Sequence, residues 1–422
     1  MSRVGPRRVA LLLNNPFTAD SRSWKLAHSL SSAGWDVIVV ARAAPGLPDH
    51  DEQDSPRVIR VEQPRPLAWL PTPGLPMSSG RPGFRGRVRD TVGRTIQAVR
   101  YLLLARAWAA RIAAAVEPVD AWQAEGLITL PVALRLRARL GGVVVYDSRD
   151  LHVESARFAR LPAPWRRLLA RGERRWARSA DAVLTVSRAY ADVLEPMIGR
   201  SATIVMNGPV AWDRPDPPAR LLHQRLGLEV SRRVVLYLGA LVANRGLEQL
   251  IAAIEFVEDA DLVVIGDGPV RAACEAKARE SQASDRIHFL PPAPPEEILP
   301  LTASADVSAM PVIGSTLNHR LNTPTKLFDA MGAGTPVVAS DLPGMAPIVH
   351  ATGCGVLCDP TSPTDIARAI REVIDAPADR RTEFTRACLE AARGPYAWDR
   401  QVERLIALYE RLGAAGGDGT PA

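Results

Sequence analysis

The sequence predicts an α/β protein made of two doubly wound domains, each a mostly parallel sheet with helices on both faces. Three observations carry this. Short apolar runs alternate with helical patterns along nearly the whole chain, which is the pattern of strands joined through crossover helices. The alternation stops at the breaker Asn207-Gly208-Pro209 and then starts again. The charge is also divided. Residues 1–210 hold 31 Lys+Arg against 18 Asp+Glu, a balance of +13, whereas residues 211–422 hold 21 against 28, a balance of −7. A chain of 422 residues, 47% hydrophobic and 23% charged, is long enough to bury two cores. We therefore expect domains at 1–208 and 209–395, a closing helix at 396–412 that packs back toward the first domain, and a flexible tail at 413–422.

The first strand is RVALLL, followed by the polar loop NNPFTADSRS, the helix WKLAHSLSSAG and the strand DVIVVA. This is one βαβ unit. Its loop lies at the carboxyl end of the first strand, where such sheets bind ligands, so Asp20 and Arg22 are site candidates. Nine prolines between Pro45 and Pro82 mark an irregular excursion, with one strand expected near Arg57–Glu62. An arginine-rich helix is expected over roughly 86–115, with Val88, Val92, Ile96, Val99 and Leu103 on one face. VDAWQAEG and VVVYDSRD are strands, and the second leaves Asp147, Arg149 and Asp150 at its carboxyl end. A second arginine-rich amphipathic stretch, 157–178, contains Trp165 and Trp176, which either anchor at an interface or pack in the core. AVLTVS and TIVMNGP complete the first half.

The second half reads RVVLYLGAL, EQLIAAIEFV, ADLVVIGDGP, RAACEAKARE, RIHFL, EEILPLTASA and DVSAMP, alternately strand and helix. Gly266 and Gly268 mark a tight strand-to-helix turn. Then comes the most informative stretch, HRLNTPTKLFDAMGAGTPVVASDLPG. It reads as a polar loop from Asn318 to Thr323, a helix opened by Pro324 and closed by Gly332 and Gly334, and the strand PVVAS. Proline suits the first turn of a helix because its missing N–H would be unpaired there anyway. Lys326 stands two residues on, at a helix end that offers free N–H groups and partial positive charge. Only three of the 52 basic residues are lysines: Lys25, Lys277 and Lys326. A lysine at that position suits a phosphate or diphosphate. Arg245-Gly246 repeats the arrangement, a cation at the start of a helix that follows a strand. GVLCDP, TDIARAIREVI and the helix WDRQVERLIALYERL close the chain.

Several classes fall away. No Ser-His-Asp order, HExxH pair or P-loop is present, so protease and Walker-type ATPase readings fail. Cys354 and Cys358 have the spacing C-x3-C but no histidine cluster follows, so no metal site is expected and the four cysteines read as reduced thiols. The apolar run before Asn14 has five residues, too short for a signal peptide, and no segment is long enough to span a bilayer.

YLGALVANRGLEQLIAA, VVIGDGP and PTKLFDAMGAGTPVVASDLPG, with DSRSWKLAHSLSSAGWDVIVVA and VVVYDSRDLHVES in the first half, resemble the retaining glycosyltransferases of family four. The resemblance covers nearly the whole chain. It implies the GT-B fold, two Rossmann-like domains facing across a cleft, and transfer of a sugar from a nucleoside diphosphate sugar of UDP or GDP type, with retention and without metal or other cofactor. It implies catalytic roles for Arg245 and Lys326 on the diphosphate and donor contacts from Gly266, Gly268, His288, Thr323, Pro324, Thr325 and Asp329. Asp329 matches the second glutamate of the family's E-x7-E motif, and Arg245 replaces its usual lysine. Leu321 stands where the first glutamate belongs, Ala240 where an arginine does, and Arg149 where a first-domain histidine does. Asp20, Arg22, Arg149 and Asp150 would face the acceptor, a cell-envelope or lipid-linked glycan. The basic half would sit on an anionic membrane surface at the cytoplasmic face, with no nucleic-acid partner. A non-catalytic nucleotide-sugar-binding protein and a sugar-nucleotide epimerase are the alternatives.

Overall fold

The structure, a computed structural model, describes residues 7–18, 20–51, 55–64, 100–101, 103–155 and 163–417. Most of the proline-rich excursion, the first part of the 86–115 helix, the start of the 157–178 stretch and residues 418–422 lie outside the described residues.

The first sheet has seven parallel strands: β1 (Arg8–Leu12), β2 (Asp36–Arg42), β3 (Arg57–Val61), β4 (Ala121–Glu125), β5 (Val143–Ser148), β6 (Ala182–Thr185) and β7 (Thr203–Ile204). Their order is β3-β2-β1-β4-β5-β6-β7. The helices with them are α1 (Ser21–Ser32), α2 (103–115), α3 (Leu130–Leu140), α4 (Ala163–Ser179) and α5 (Arg188–Ile198). The second sheet holds β8 (Arg233–Leu238), β9 (Ala260–Ile265), β10 (Ile287–Leu290), β11 (Val307–Met310), β12 (Val337–Ser340) and β13 (Gly355–Cys358). Its order is β10-β9-β8-β11-β12-β13. Its helices are α6 (Leu221–Leu226), α7 (Leu247–Ala253), α8 (Arg271–Glu280), α9 (Ile298–Ala303), α10 (Leu317–Leu321), α11 (Thr325–Ala333), α12 (Ala346–Thr352), α13 (Pro363–Ile374) and α14 (Ala378–Arg393). The chain ends in α15 (Trp398–Gly417).

Strands such as ADLVVI are buried along their whole length because helices cover both faces of a parallel sheet. In each sheet the order reverses once, between β1 and β4 and between β8 and β11. Ligands of doubly wound sheets bind outside the strand carboxyl ends at such a reversal.

Two local expectations are corrected. Residues 317–321 form a helix, not a loop, because the Thr316 hydroxyl accepts the His319 N–H and caps it. Gly332 lies inside α11 against Pro209, and only Gly334, at φ +67°, ends the helix. Of the two readings of Trp176, packing against the first-domain core holds, with its ring 6.0 Å from that of Tyr101. Helix α14 was not anticipated.

The chain crosses between the sheets twice. At 207–209 it passes into the second sheet, and at 396–398 it returns. α15 then places Trp398, Leu405, Leu408 and Tyr409 in the core beneath β1 and β2, and the Tyr409 hydroxyl donates to buried Gln123 at 2.6 Å. The two crossings touch through their backbones. The Trp398 N–H donates to Pro209 O at 3.0 Å, and a Cβ on Gly208 would fall 1.9 Å from Tyr396 O. Gly208→Ala should therefore lower stability by about 1–3 kcal/mol, the usual range for overpacking. Thermal unfolding checks this, and an unchanged melting temperature would mean that the crossings do not depend on the contact.

Candidate active site

The loop after β1 and the start of α1 form the first-domain side. Asp20 caps α1 by accepting the Ser23 N–H. Its carboxylate takes Arg149 NH1 at 2.9 Å, and Asn15 donates to it at 2.8 Å. Burial opposes its ionisation, but Arg149 and Ser23 hold its pKa down to about 2. Arg149 also pairs with Glu125 at 3.2 Å. Glu125 closes β4, is fully enclosed, and accepts the Ser23 hydroxyl at 2.8 Å. Burial pushes it up to about 7 against the pull of Arg149. Sequence reasoning passed over Glu125, although an acid ending an apolar strand at a ligand-binding edge is a readable signal. Arg22 is only 4% exposed and its guanidinium is committed. It forks onto Asp147 at 3.1 and 3.2 Å and donates to Val205 O and Asn207 Oδ1. Arg22 is thus a structural brace under the site, not a group free to meet an acceptor.

Asp20, Arg22 and Arg149 line a cleft of about 530 Å³ with Asn15, Thr18, Asp150 and Asn207, and Thr325 reaches it from the second domain. On the first-domain side both arginines have carboxylate partners. The second-domain side is the opposite.

Lys326 stands in the first turn of α11, whose N-cap is Pro324 and whose leading N–H groups have no side-chain cap. Its ammonium lies 3.7 Å from the ring centroid of Tyr237, a buried residue of β8. Burial, then the charge of Arg245, push its pKa down to about 7. Arg245 follows β8. The left-handed Gly246 beside it, at φ +72°, presses on Pro311, and a Cβ there would fall 1.8 Å from Pro311 O. Neither Arg245 nor Lys326 has an ion-pair partner among the described residues. Asp329 lies one turn further along α11. Burial raises it to about 6 despite Lys25 and Lys326. Lys25 itself reaches over from α1 and donates to Gly208 O at 2.8 Å.

Gly266 and Gly268 shape the floor. Their φ values are +150° and +155°, and a Cβ on either would collide with the backbone of Gly239 or Leu241 at 2.0 or 2.3 Å. Thr323 holds its loop by donating to Gly344 O at 3.0 Å. His288 is not brought to the site. It lies toward the amino end of β10, and its Nε2 is 2.9 Å from Asp261 on β9, which also pairs with Arg232. The donor set implied for the chain is corrected accordingly.

Residues 219–393 match the family described as Glycosyl transferases group 1, and residues 19–209 match the Glycosyl transferase 4-like domain. The chain is 27% identical over 413 residues to the 2-deoxystreptamine glucosyltransferase of Streptomyces kanamyceticus, covering 92% of this chain and 97% of that one. Among solved structures it resembles the sucrose-phosphate synthase of Thermosynechococcus elongatus with a TM-score of 0.71 at 21% identity, over 97% of this chain and 100% of that one. It also resembles HepE of Anabaena in complex with UDP, with a TM-score of 0.68 at 16% identity, over 96% of this chain and 100% of that one. With two doubly wound sheets, a cleft between them and both halves matched, the chain belongs to the glycosyl transferases group 1 family and is a glycosyltransferase of the GT-B fold.

Proposed function

We propose that the protein transfers a sugar from a nucleoside diphosphate sugar to an acceptor held against the first domain, with retention and without metal. The observation that carries this reading is the pair Arg245 and Lys326, two cations without an ion-pair partner among the described residues and close enough that the charge of Arg245 depresses the Lys326 pKa. The bond from the anomeric carbon to the diphosphate breaks, and negative charge gathers on the leaving group. Fixed positive charge aimed at that group is the largest available source of rate. Arg245 and Lys326 supply it, helped by the N–H groups at Thr325. In this reading the two cations stand in for a metal ion. Retention rests on the family resemblance alone. Asp329 accepts from the ribose hydroxyls, and the Gly266–Gly268 turn lets the nucleotide approach the backbone. Asp20, Arg149 and Asp150 face the acceptor.

For the acceptor we propose a cell-envelope or lipid-linked glycan, met at an anionic membrane surface. The support is the exposed face of α4, where Arg167, Arg171, Arg174 and Arg175 flank Leu168, which is 57% exposed. No helix among the described residues is long and apolar enough to cross a membrane. A small soluble cyclitol, such as the 2-deoxystreptamine in the relative's name, is the second reading, favoured by the two carboxylates in the cleft.

The first test is a thermal-shift screen of UDP- and GDP-sugars with the intact protein, since ligand stabilisation follows from affinity. Lys326→Ala should cost about 10- to 150-fold in donor affinity, corresponding to about 1.5–3 kcal/mol for a charge-assisted hydrogen bond. Arg245→Ala should behave alike, and the double variant should lose less than the product of the two. Unchanged affinity would remove the diphosphate role.

The same lysine predicts a pH dependence. Its folded pKa is depressed to about 7, so the free site holds a charged ammonium only below that pH. Affinity for a nucleotide sugar should fall as pH rises through 7, and Lys326→Met should abolish that slope. The variant should also raise the melting temperature without ligand, because desolvation of the cation outweighs the pull of Asp329 and opposes folding. A lower melting temperature would mark Lys326 as structural.

Asp329→Asn should weaken nucleotide-sugar binding and leave the fold intact, because an amide accepts through one oxygen where a carboxylate uses two. A fall of about 10 °C in the ligand-free melting temperature would indicate a structural role instead.

Membrane attachment is tested by co-sedimentation with neutral and anionic vesicles. Each basic residue near the surface contributes about 1 kcal/mol, and screening beyond about 10 Å at 0.1 M salt should release the protein. Equal, negligible binding to both vesicle types would favour the soluble acceptor.

A further inference from the structure

Leu321 occupies a position where the family resemblance calls for a sugar-binding carboxylate, and its side chain does other work. α10 turns it into an apolar cluster with Leu151, Val186, Tyr190 and Val193, all from the first domain. Three residues earlier, on the same face of that helix, Asn318 uses both ends of its amide across the same junction. Its Oδ1 accepts from the Leu151 N–H at 2.7 Å and lies 2.9 Å from the Tyr190 hydroxyl. Its Nδ2 donates to Asp150 Oδ1 at 3.1 Å. Asn318, Leu151 and Tyr190 are 7%, 6% and 1% exposed. Losing the amide would leave the buried Leu151 N–H without its acceptor, and the Tyr190 hydroxyl would keep only the Asn318 backbone carbonyl at 3.1 Å.

The helix is itself fastened to the second domain. The Gly344 N–H donates to Arg320 O at 3.0 Å, and His319 Nδ1 lies 2.9 Å from the Ser315 hydroxyl. A Cβ on Gly344 would fall 2.4 Å from Asn322 O, so the two loops are in backbone contact. A rigid element of one domain therefore grips the other immediately beside the acceptor-side carboxylate.

We infer that Asn318 and Leu321 are positioning residues that form a latch across the cleft, setting the closed spacing of the domains and holding Asp150 toward the acceptor. The catalytic consequence rests on the transferase reading above. The apolar contact at Leu321 supplies adhesion, and the Asn318 amide supplies register, because its donor and acceptor ends match only one alignment of Asp150 and Leu151.

The test compares Leu321→Glu, Leu321→Met and Asn318→Ala with the wild type, all as the intact chain. If position 321 merely lacks a sugar contact, Leu321→Glu keeps or gains activity. A latch requires the opposite, because the new carboxylate enters an apolar junction. We expect Leu321→Glu and Asn318→Ala to lower kcat and raise the acceptor KM, with kcat/KM falling about tenfold or more. The Kd for UDP should stay within about twofold, because the diphosphate cations are untouched. Small-angle scattering without ligand should give a larger radius of gyration for both variants, whereas Leu321→Met should match the wild type. Wild-type turnover in Leu321→Glu, or unchanged scattering in Asn318→Ala, would overturn the latch. If Leu321→Glu does not fold, Asn318→Ala carries the same readouts. Failure of the wild type to bind any nucleotide would overturn the donor reading, and the ligand-free scattering would still decide the latch.

Discussion

The architecture depends on how α1 holds the two places where the chain changes sheets. Arg22 reaches from that helix to Asp147, 125 residues away, and to Val205 and Asn207 at the outward crossing. One turn later Lys25 donates to Asn207 O and Gly208 O and places its ammonium 4.6 Å from the ring centroid of Trp398 at the return crossing. Removing one partner of a buried pair like Arg22–Asp147 leaves an uncompensated charge, a loss of about 3–5 kcal/mol. Two cations on adjacent turns thus fix both crossings, and with them the width of the cleft.

That constraint separates the charges of the site. On the first-domain side the positive groups are consumed by structure: Arg22 by Asp147, and Arg149 by Asp20 and Glu125. On the second-domain side Arg245 and Lys326 have no ion-pair partner among the described residues, and Lys326 lies over the face of Tyr237 with Asp329 one turn along its helix. An unpaired, desolvated cation is unfavourable in the empty protein, and an anionic ligand relieves it. The cleft is therefore asymmetric, with free positive charge on one wall and a satisfied network on the other. Glycines make the asymmetry sterically feasible. Gly246, Gly266 and Gly268 let the loops around β8 pack backbone to backbone, which brings Arg245 and Lys326 to one sheet edge.

The same geometry explains why departures from the family pattern need not weaken the fold. Leu321, where the resemblance calls for a carboxylate, packs in an apolar cluster with Leu151 and Tyr190. Arg149, where the resemblance calls for a histidine, ties Asp20 to Glu125. In each case the substituted side chain meets a partner from a distant segment, so its effect lies in tertiary packing and not in the local motif.

The sequence by itself determined the strands, the two sheets and the helix that presents Lys326. Each depends on local chemistry: continuous apolar runs, a proline at a helix start, and glycines where the backbone turns left-handed. It also picked out Asp20, Arg149 and Arg245 at strand carboxyl ends, because a doubly wound sheet exposes those ends to ligand. Only the tertiary structure decided that Arg22 is a brace, that His288 belongs to Asp261 toward the amino end of the neighbouring strand, that Glu125 lies sealed beneath Arg149, and that α15 completes the first core. The reason is the same throughout. The partners are 24 to 286 residues apart along the chain, and no local pattern records which distant group will fill a buried side chain's remaining hydrogen bonds.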